Sequence, residues 1–292
     1  MANRPIKLIL LGLGGLLLAA AVLALLWPRM KALIWRLRSA RQLPIYDEPV
    51  VSDGSYTDII FLHHSTGRAL IAEGNVRPLF TDLGYQFWDH GYNYEGLVRP
   101  DGTRTRHSYG IPGNQGQGNT DVGGLAALFA QPVTDPPANA FSRLLQHEVI
   151  AFKSCFPNSA IQSEAKQEQF RNWYLDMRDV MDQHPERIFV VVTSPPLHPL
   201  ATNGEDARRA RAIADWLGSD AYLEGHPNVF TFDLFDLLAD PSANTLRAEY
   251  QRHPDQKDSH PNSLANRTIG PLFVAFVDEA VRSYVTTQSR NP

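Results

Sequence analysis

Short apolar runs alternate with helical patterns from Asp58 to near the C-terminus, and that alternation leaves few folds open. Ile59–Leu62, Tyr85–Trp88, Glu148–Lys153, Arg187–Thr193 and Asn228–Phe232 each read as a strand. They are short and rich in β-branched and aromatic residues, and most are apolar on both faces, as strands buried inside a parallel sheet are. One helical pattern follows the first run through Leu70, Ile71 and Leu79-Phe80, and another follows Asn119-Thr120-Asp121 through Leu125, Leu128 and Phe129. Further helices are expected over Glu164–His184, Glu205–Leu217 and Leu264–Tyr284. Strand–helix alternation of this kind implies one mainly parallel sheet with helices on both faces. Right-handed crossovers then bring the loops after the strands to one edge, where open α/β sheets bind ligands.

The first of those loops is His63-His64-Ser65-Thr66-Gly67. A serine between a buried strand and a helix start is commonly just an N-cap. It also stands where free backbone N–H groups and the helix dipole favour an oxyanion. Three later loops carry polar residues to the same edge: Asp89-His90-Gly91, Phe156-Pro157-Asn158 and Asp258-Ser259-His260. A serine hydrolase needs a nucleophile, oxyanion donors, and a late histidine with an acid beside it, and these loops provide candidates in that order.

In that order and spacing the chain resembles the SGNH (GDSL-like) hydrolases, from about Tyr56 to Tyr284. The family's blocks are altered here. The GDS turn reads His63-His64-Ser65, the Asn158 block lacks its Gly and Asp, and the acid lies two residues before the His instead of three, so the likeness is to a divergent branch. The resemblance implies a three-layer α/β/α sandwich with a mainly five-stranded parallel sheet of the flavodoxin-like kind. It implies Ser65 as nucleophile, His260 as base, Asp258 as orienting acid, and Gly91 and Asn158 as oxyanion donors. Asp255 is an alternative acid, because the whole run Pro254–His260 is polar. Each residue also has a plain structural role open to it: a helix cap for His260, an Asx-turn for Asn158, and a turn glycine for Gly91.

Other chemistries are less well served. The one cysteine, Cys155, reads as a core thiol and rules out an internal disulfide framework and a cysteine-based zinc site. His63 and His64 could join Asp258 and His260 around a metal in a phosphoesterase, but neighbours on an extended segment point to opposite faces, so only one of the pair would reach it. No metal and no cofactor are expected. The net charge of -4 and the lack of a basic, aromatic-interleaved stripe argue against a nucleic-acid partner. The alternative to an enzyme is a binding or scaffold protein on the same fold.

Before the hydrolase-like region, Leu8–Trp27 is an uncharged apolar run about long enough to span a bilayer core of roughly 30 Å. It lacks a small-residue cleavage site, so residues 1–28 are expected to be an uncleaved transmembrane anchor in contact with membrane lipid. Residues 29–54 read as a basic juxtamembrane linker and residues 55–292 as the hydrolase domain. Arg29, Lys31, Arg36, Arg38 and Arg41 bias that domain toward the cytoplasm, whereas a hydrolase on a stalk argues for the outside, so the side stays open. The expected partner of the site is an ester of unknown class, for example an O-acyl glycan or a lipid.

Overall fold

The computed structural model describes Met30 and residues 43–113 and 121–290. The apolar run 8–27, and with it the expected anchor, lies outside these residues; among the described residues no helix is long and apolar enough to cross a membrane.

In chain order the elements are β1 (Asp58–Leu62), α1 (Ser65–Glu73), α2 (Val76–Asp82), β2 (Gln86–His90), β3 (Leu97–Val98), α3 (Val122–Phe129) and α4 (Ala140–Leu144). They continue with β4 (Val149–Lys153), α5 (Glu164–Met181), β5 (Ile188–Val192), α6 (Gly204–Leu217), α7 (Asp220–Leu223), β6 (Val229–Phe232), α8 (Leu234–Leu238) and α9 (Ser263–Arg290). The sheet order is β3-β2-β1-β4-β5-β6. All neighbours are parallel except β3, which pairs antiparallel with β2 through Asp89–Val98 and His90–Leu97. The five parallel strands therefore follow the doubly wound order 2-1-3-4-5, whose ligand crevice opens where the winding reverses beside the first strand.

Two corrections to the sequence reading come from this region. The sheet has a sixth strand, β3, beyond the five that the resemblance implies, and it lies in the Gly-rich segment 96–118. The described part of that segment is tied down: Ser108 N donates to Pro44 O at 2.8 Å, Asn93 holds the Ile111 amide at 3.0 Å, and Tyr109 is buried. Residues Leu43–Gly54, assigned to a linker, also pack on the fold. The compact unit begins at Leu43, Tyr46 enters the core, and the Val50 amide donates to Gln146 Oε1 at 2.8 Å.

The period-two pattern of the strands feeds two cores, one on each face of the sheet. Ile60, Leu62, Ile150, Phe152, Phe189 and Val191 meet α3, α5 and α6. Ile59, Phe61, Val149, Ala151, Val190 and Val192 meet α1, α2 and α9. Helix α1 is expected to continue to Phe80, but it stops at Gly74, and Asn75 takes a left-handed φ of 57° before α2. A Cβ at Gly74 would lie 2.6 Å from the Asn266 carbonyl oxygen and 2.9 Å from the Gly270 Cα, so α1 and α9 touch backbone to backbone. That contact seats α9, and with it the loop that precedes it, against the helix that begins at Ser65.

Candidate active site

Helix α1 opens at Ser65, with His64 in the N-cap position at an extended φ of -128° and making no side-chain cap bond. Ser65 is thus the first helical residue and not the cap, and it is half-buried. Ser65 Oγ lies 2.8 Å from His260 Nε2, and His260 Nδ1 lies 2.6 Å from Asp258 Oδ1. Asp258 Oδ1 also accepts the His260 backbone N–H at 3.1 Å, which fixes the carboxylate to the same turn as the ring. Burial pushes the Asp258 carboxyl up, and the hydrogen bonds from the His260 ring and amide outweigh it, so the group sits below its ordinary carboxylate value.

The His260 loop is held from outside the site. Ser259 is buried, and its Oγ accepts the His198 amide at 2.9 Å. Arg252 Nε donates to Pro261 O at 2.8 Å. Asn262, not His260, serves α9 as a cap, its Oδ1 accepting the Ala265 amide at 3.1 Å. Asp255 makes no bond to His260. Asp258 is the carboxylate on its ring.

The expected oxyanion donors are differently disposed. Gly91 N donates to Gly96 O at 3.2 Å, so its amide is already engaged in the turn that leads to β3. Its lack of a side chain answers a packing need, because a Cβ there would lie 2.6 Å from Glu95 Oε2. Asn158 sits in a 3-10 turn over Phe156–Ser159, where its amide side chain donates to Cys155 O at 3.0 Å. The neighbouring Phe156 ring meets the His260 imidazole edge-on at 4.8 Å. Cys155 itself is buried, with its thiol free.

Two features escape a sequence reading. Tyr92, next to Gly91, brings its hydroxyl to Ser65. Its ring lies 4.4 Å from the His64 ring and stacks on Tyr94 at 5.2 Å. Burial, with a smaller contribution from Cys155, pushes this phenol up to about 12, so it keeps its proton at neutral pH. The second feature is His63, which is buried under the first turn of α1. Its Nε2 lies 2.9 Å from Asp89 Oδ2, its Nδ1 lies 3.0 Å from His64 O, and Arg77 pairs with the other Asp89 oxygen. Both ring nitrogens face oxygen atoms that can accept a hydrogen bond. Burial pushes the Asp89 carboxyl up, but the hydrogen bond and charge of His63, with Arg77, hold it below its ordinary value. Gly67 makes room for this arrangement, since a Cβ there would collide with the His63 side chain.

His64 follows a different logic. Its Nδ1 is buried without a hydrogen bond among the described residues, and burial together with the Lys153 ammonium holds its pKa well below the ordinary imidazole value. The two histidines thus have separate surroundings, one on Asp89 and one on Tyr92, and neither is bonded to His260 or Asp258. Among the described residues no group of three or more His, Cys, Asp or Glu side chains is arranged to hold a metal ion.

A further His–Asp contact lies at the other end of the sheet. His147 Nδ1 pairs with Asp58, and its Nε2 meets the Tyr109 hydroxyl at 2.8 Å. Asp58 begins β1, so this cluster is at the strands' N-terminal edge, and His147 and Tyr109 are both buried. It ties β1 to the Leu97–Ile111 segment and has no open face for a substrate.

A three-layer α/β fold with a Ser–His–Asp hydrogen-bonded chain at the C-terminal edge of its parallel strands is the class that sequence and geometry define. No protein-family model matches the sequence, and no curated protein matches it. Two solved structures are similar in overall arrangement. One, from Bacteroides fragilis, is described as a "putative acylhydrolase"; it is 12% identical with a TM-score of 0.48, over 80% of this chain and 91% of that one. The other is a GDSL-like lipase from Bacteroides thetaiotaomicron, 9% identical with a TM-score of 0.47, over 79% of this chain and 90% of that one. At these scores neither protein's activity carries over to this chain.

Proposed function

We propose that this protein is a serine esterase in which Ser65 is the nucleophile, His260 the general base and Asp258 the orienting acid. The observation that carries the reading is the continuous hydrogen-bonded chain, 2.8 Å from Ser65 Oγ to His260 Nε2 and 2.6 Å from His260 Nδ1 to Asp258 Oδ1. Asp258 accepts a hydrogen bond from Nδ1–H, which leaves the Nε2 lone pair facing the serine hydroxyl, the tautomer a general base needs. Ser65 Oγ attacks the ester carbonyl as its proton passes to Nε2. His260 then protonates the departing alcohol, and water, activated by the same ring, releases the acyl group.

The oxyanion is held by the Ser65 amide at the start of α1, where helix N–H groups lack intrahelical partners. The Asn158 side chain is a further donor in this reading. Gly91 would first have to give up its bond to Gly96, so the Tyr92 hydroxyl, which faces Ser65 and keeps its proton, takes that part. The N-terminal apolar run makes an envelope ester, on a glycan or a lipid, the substrate class we favour, with a single-span anchor holding the enzyme at the membrane.

The test is the rate of short-chain ester hydrolysis by Ser65→Ala, His260→Ala and the double variant. Each single change is expected to remove most of the turnover, and the double to add little, because groups that act as one unit share one loss. Full turnover by Ser65→Ala would exclude the mechanism. A parent protein that hydrolyses no ester would favour a scaffold on this fold.

A further inference from the structure

A cleft of about 380 Å³ opens one helical turn from Ser65, within the roughly 300–1,000 Å³ of small-molecule sites, and the mechanism above leaves it unused. It shares His63, Gly91 and Arg68 with the surroundings of the nucleophile. Arg68 stands three residues after Ser65, so the two side chains leave the same face of α1. The far wall is the turn after β3, which carries Arg104.

The cleft's charges are unequal. Arg77 is committed: it pairs with Asp89 and donates to Arg99 O at 2.8 Å, fastening the far wall to the floor. Arg68 pairs with Glu95 across the mouth, and its side chain is 51% exposed. Arg104 is exposed and makes no ion pair among the described residues. His63 lies in the floor with both ring nitrogens toward acceptors. Arg68, Arg77 and Arg104 thus line the cleft against two lining carboxylates, Asp89 and Glu95, and the cleft is left with a positive excess.

We propose that this cleft is a second subsite of the esterase and takes an anionic substituent, a carboxylate or a phosphate, carried by the ester substrate. The inference rests on the serine-hydrolase reading and narrows its substrate class to acidic esters. Arg104 is the open partner, able to hold a planar anion through two N–H groups. Arg68 joins it by exchanging Glu95 for the incoming anion, and the reacting carbonyl then lies over Ser65. A neutral ester makes none of these contacts.

The experiment is the rate at which a fluorophosphonate labels Ser65 in the full-length protein at low salt, with galacturonate, galactose 6-phosphate or galactose as competitor. The acidic sugars should slow labelling about tenfold at concentrations where galactose has no effect, the equivalent of one good ion pair. Which acid protects better distinguishes carboxylate from phosphate. Arg104→Gln should remove most of the protection, and added salt should weaken it in the parent. Equal protection by galactose, protection by neither acid, or undiminished protection in Arg104→Gln would each overturn the subsite while the labelling itself upholds the hydrolase. No label on Ser65 at all would overturn both.

Discussion

Asp258 and Asp255 are three residues apart on one polar loop, and only geometry separates them. Asp258 Oδ1 takes both the ring and the backbone N–H of His260. Asp258→Asn should therefore lower ester turnover, while Asp255→Asn should leave it near the parent value; a steady-state comparison of the two checks this. The acid is expected to be the mildest of the three single losses, since the serine and the base carry the bond-making steps. Tyr92→Phe keeps the stack on Tyr94 and His64 and removes only the hydroxyl. Its loss should lower kcat with little change in KM, by up to the roughly 2.7–4 kcal/mol that one oxyanion donor supplies. An unchanged kcat would return that role to the Gly91 or Asn158 side of the site. Ser65, His260 and Asp258 could be named from the sequence because each stands in a loop directly after a strand or before a helix. Tyr92 could not, because nothing in its local pattern says which way its ring turns.

At the scale of elements, the buried strands were legible because composition and length both point the same way. Ile188–Val192 and Val149–Lys153 fall within one residue of the expected runs. The sixth strand was not legible: Leu97–Val98 is two residues long and owes its pairing to β2 and to the turn held by Arg77. The break between α1 and α2 was missed for a related reason. Leu70, Ile71, Leu79 and Phe80 keep helical spacing across it, while the cause, the approach of α9, lies nearly two hundred residues away. Gly270 tests that cause. A Cβ there would run into the Gly74 backbone, so Gly270→Ala should destabilise the fold by about 1–3 kcal/mol, as overpacking does, and a denaturant melt reads it. Because α9 follows the His260 loop, the same variant should lose activity before it unfolds. Gly67→Ala should act closer to the site, displacing His63 from Asp89 without touching Ser65 itself.

The whole molecule should show its buried histidines in its acid stability. His90 is fully enclosed; its Nδ1 donates to Gly91 O at 2.7 Å, its Nε2 accepts the Tyr109 amide at 3.1 Å, and burial lowers its pKa to about 4. The unfolded ring titrates near about 6.5 and so binds a proton that the folded one refuses between those values. Stability is therefore complete above about 6.5 and falls as the pH drops toward about 4, by on the order of 3 kcal/mol for this residue. His64, lowered in the same direction, adds to the loss. Denaturant melts at pH 7 and pH 5 check the slope, and His90→Gln should flatten it. A chain starting at Leu43 should melt cooperatively, since the unit that begins there contains both cores. The central claim, that Ser65 is an activated nucleophile, is tested most directly by intact-mass analysis after fluorophosphonate treatment. One adduct per chain, on Ser65, abolished in Ser65→Ala and slowed in His260→Ala, is the predicted result. A parent protein that takes no adduct, or a Ser65→Ala protein that takes one as fast as the parent, would contradict it.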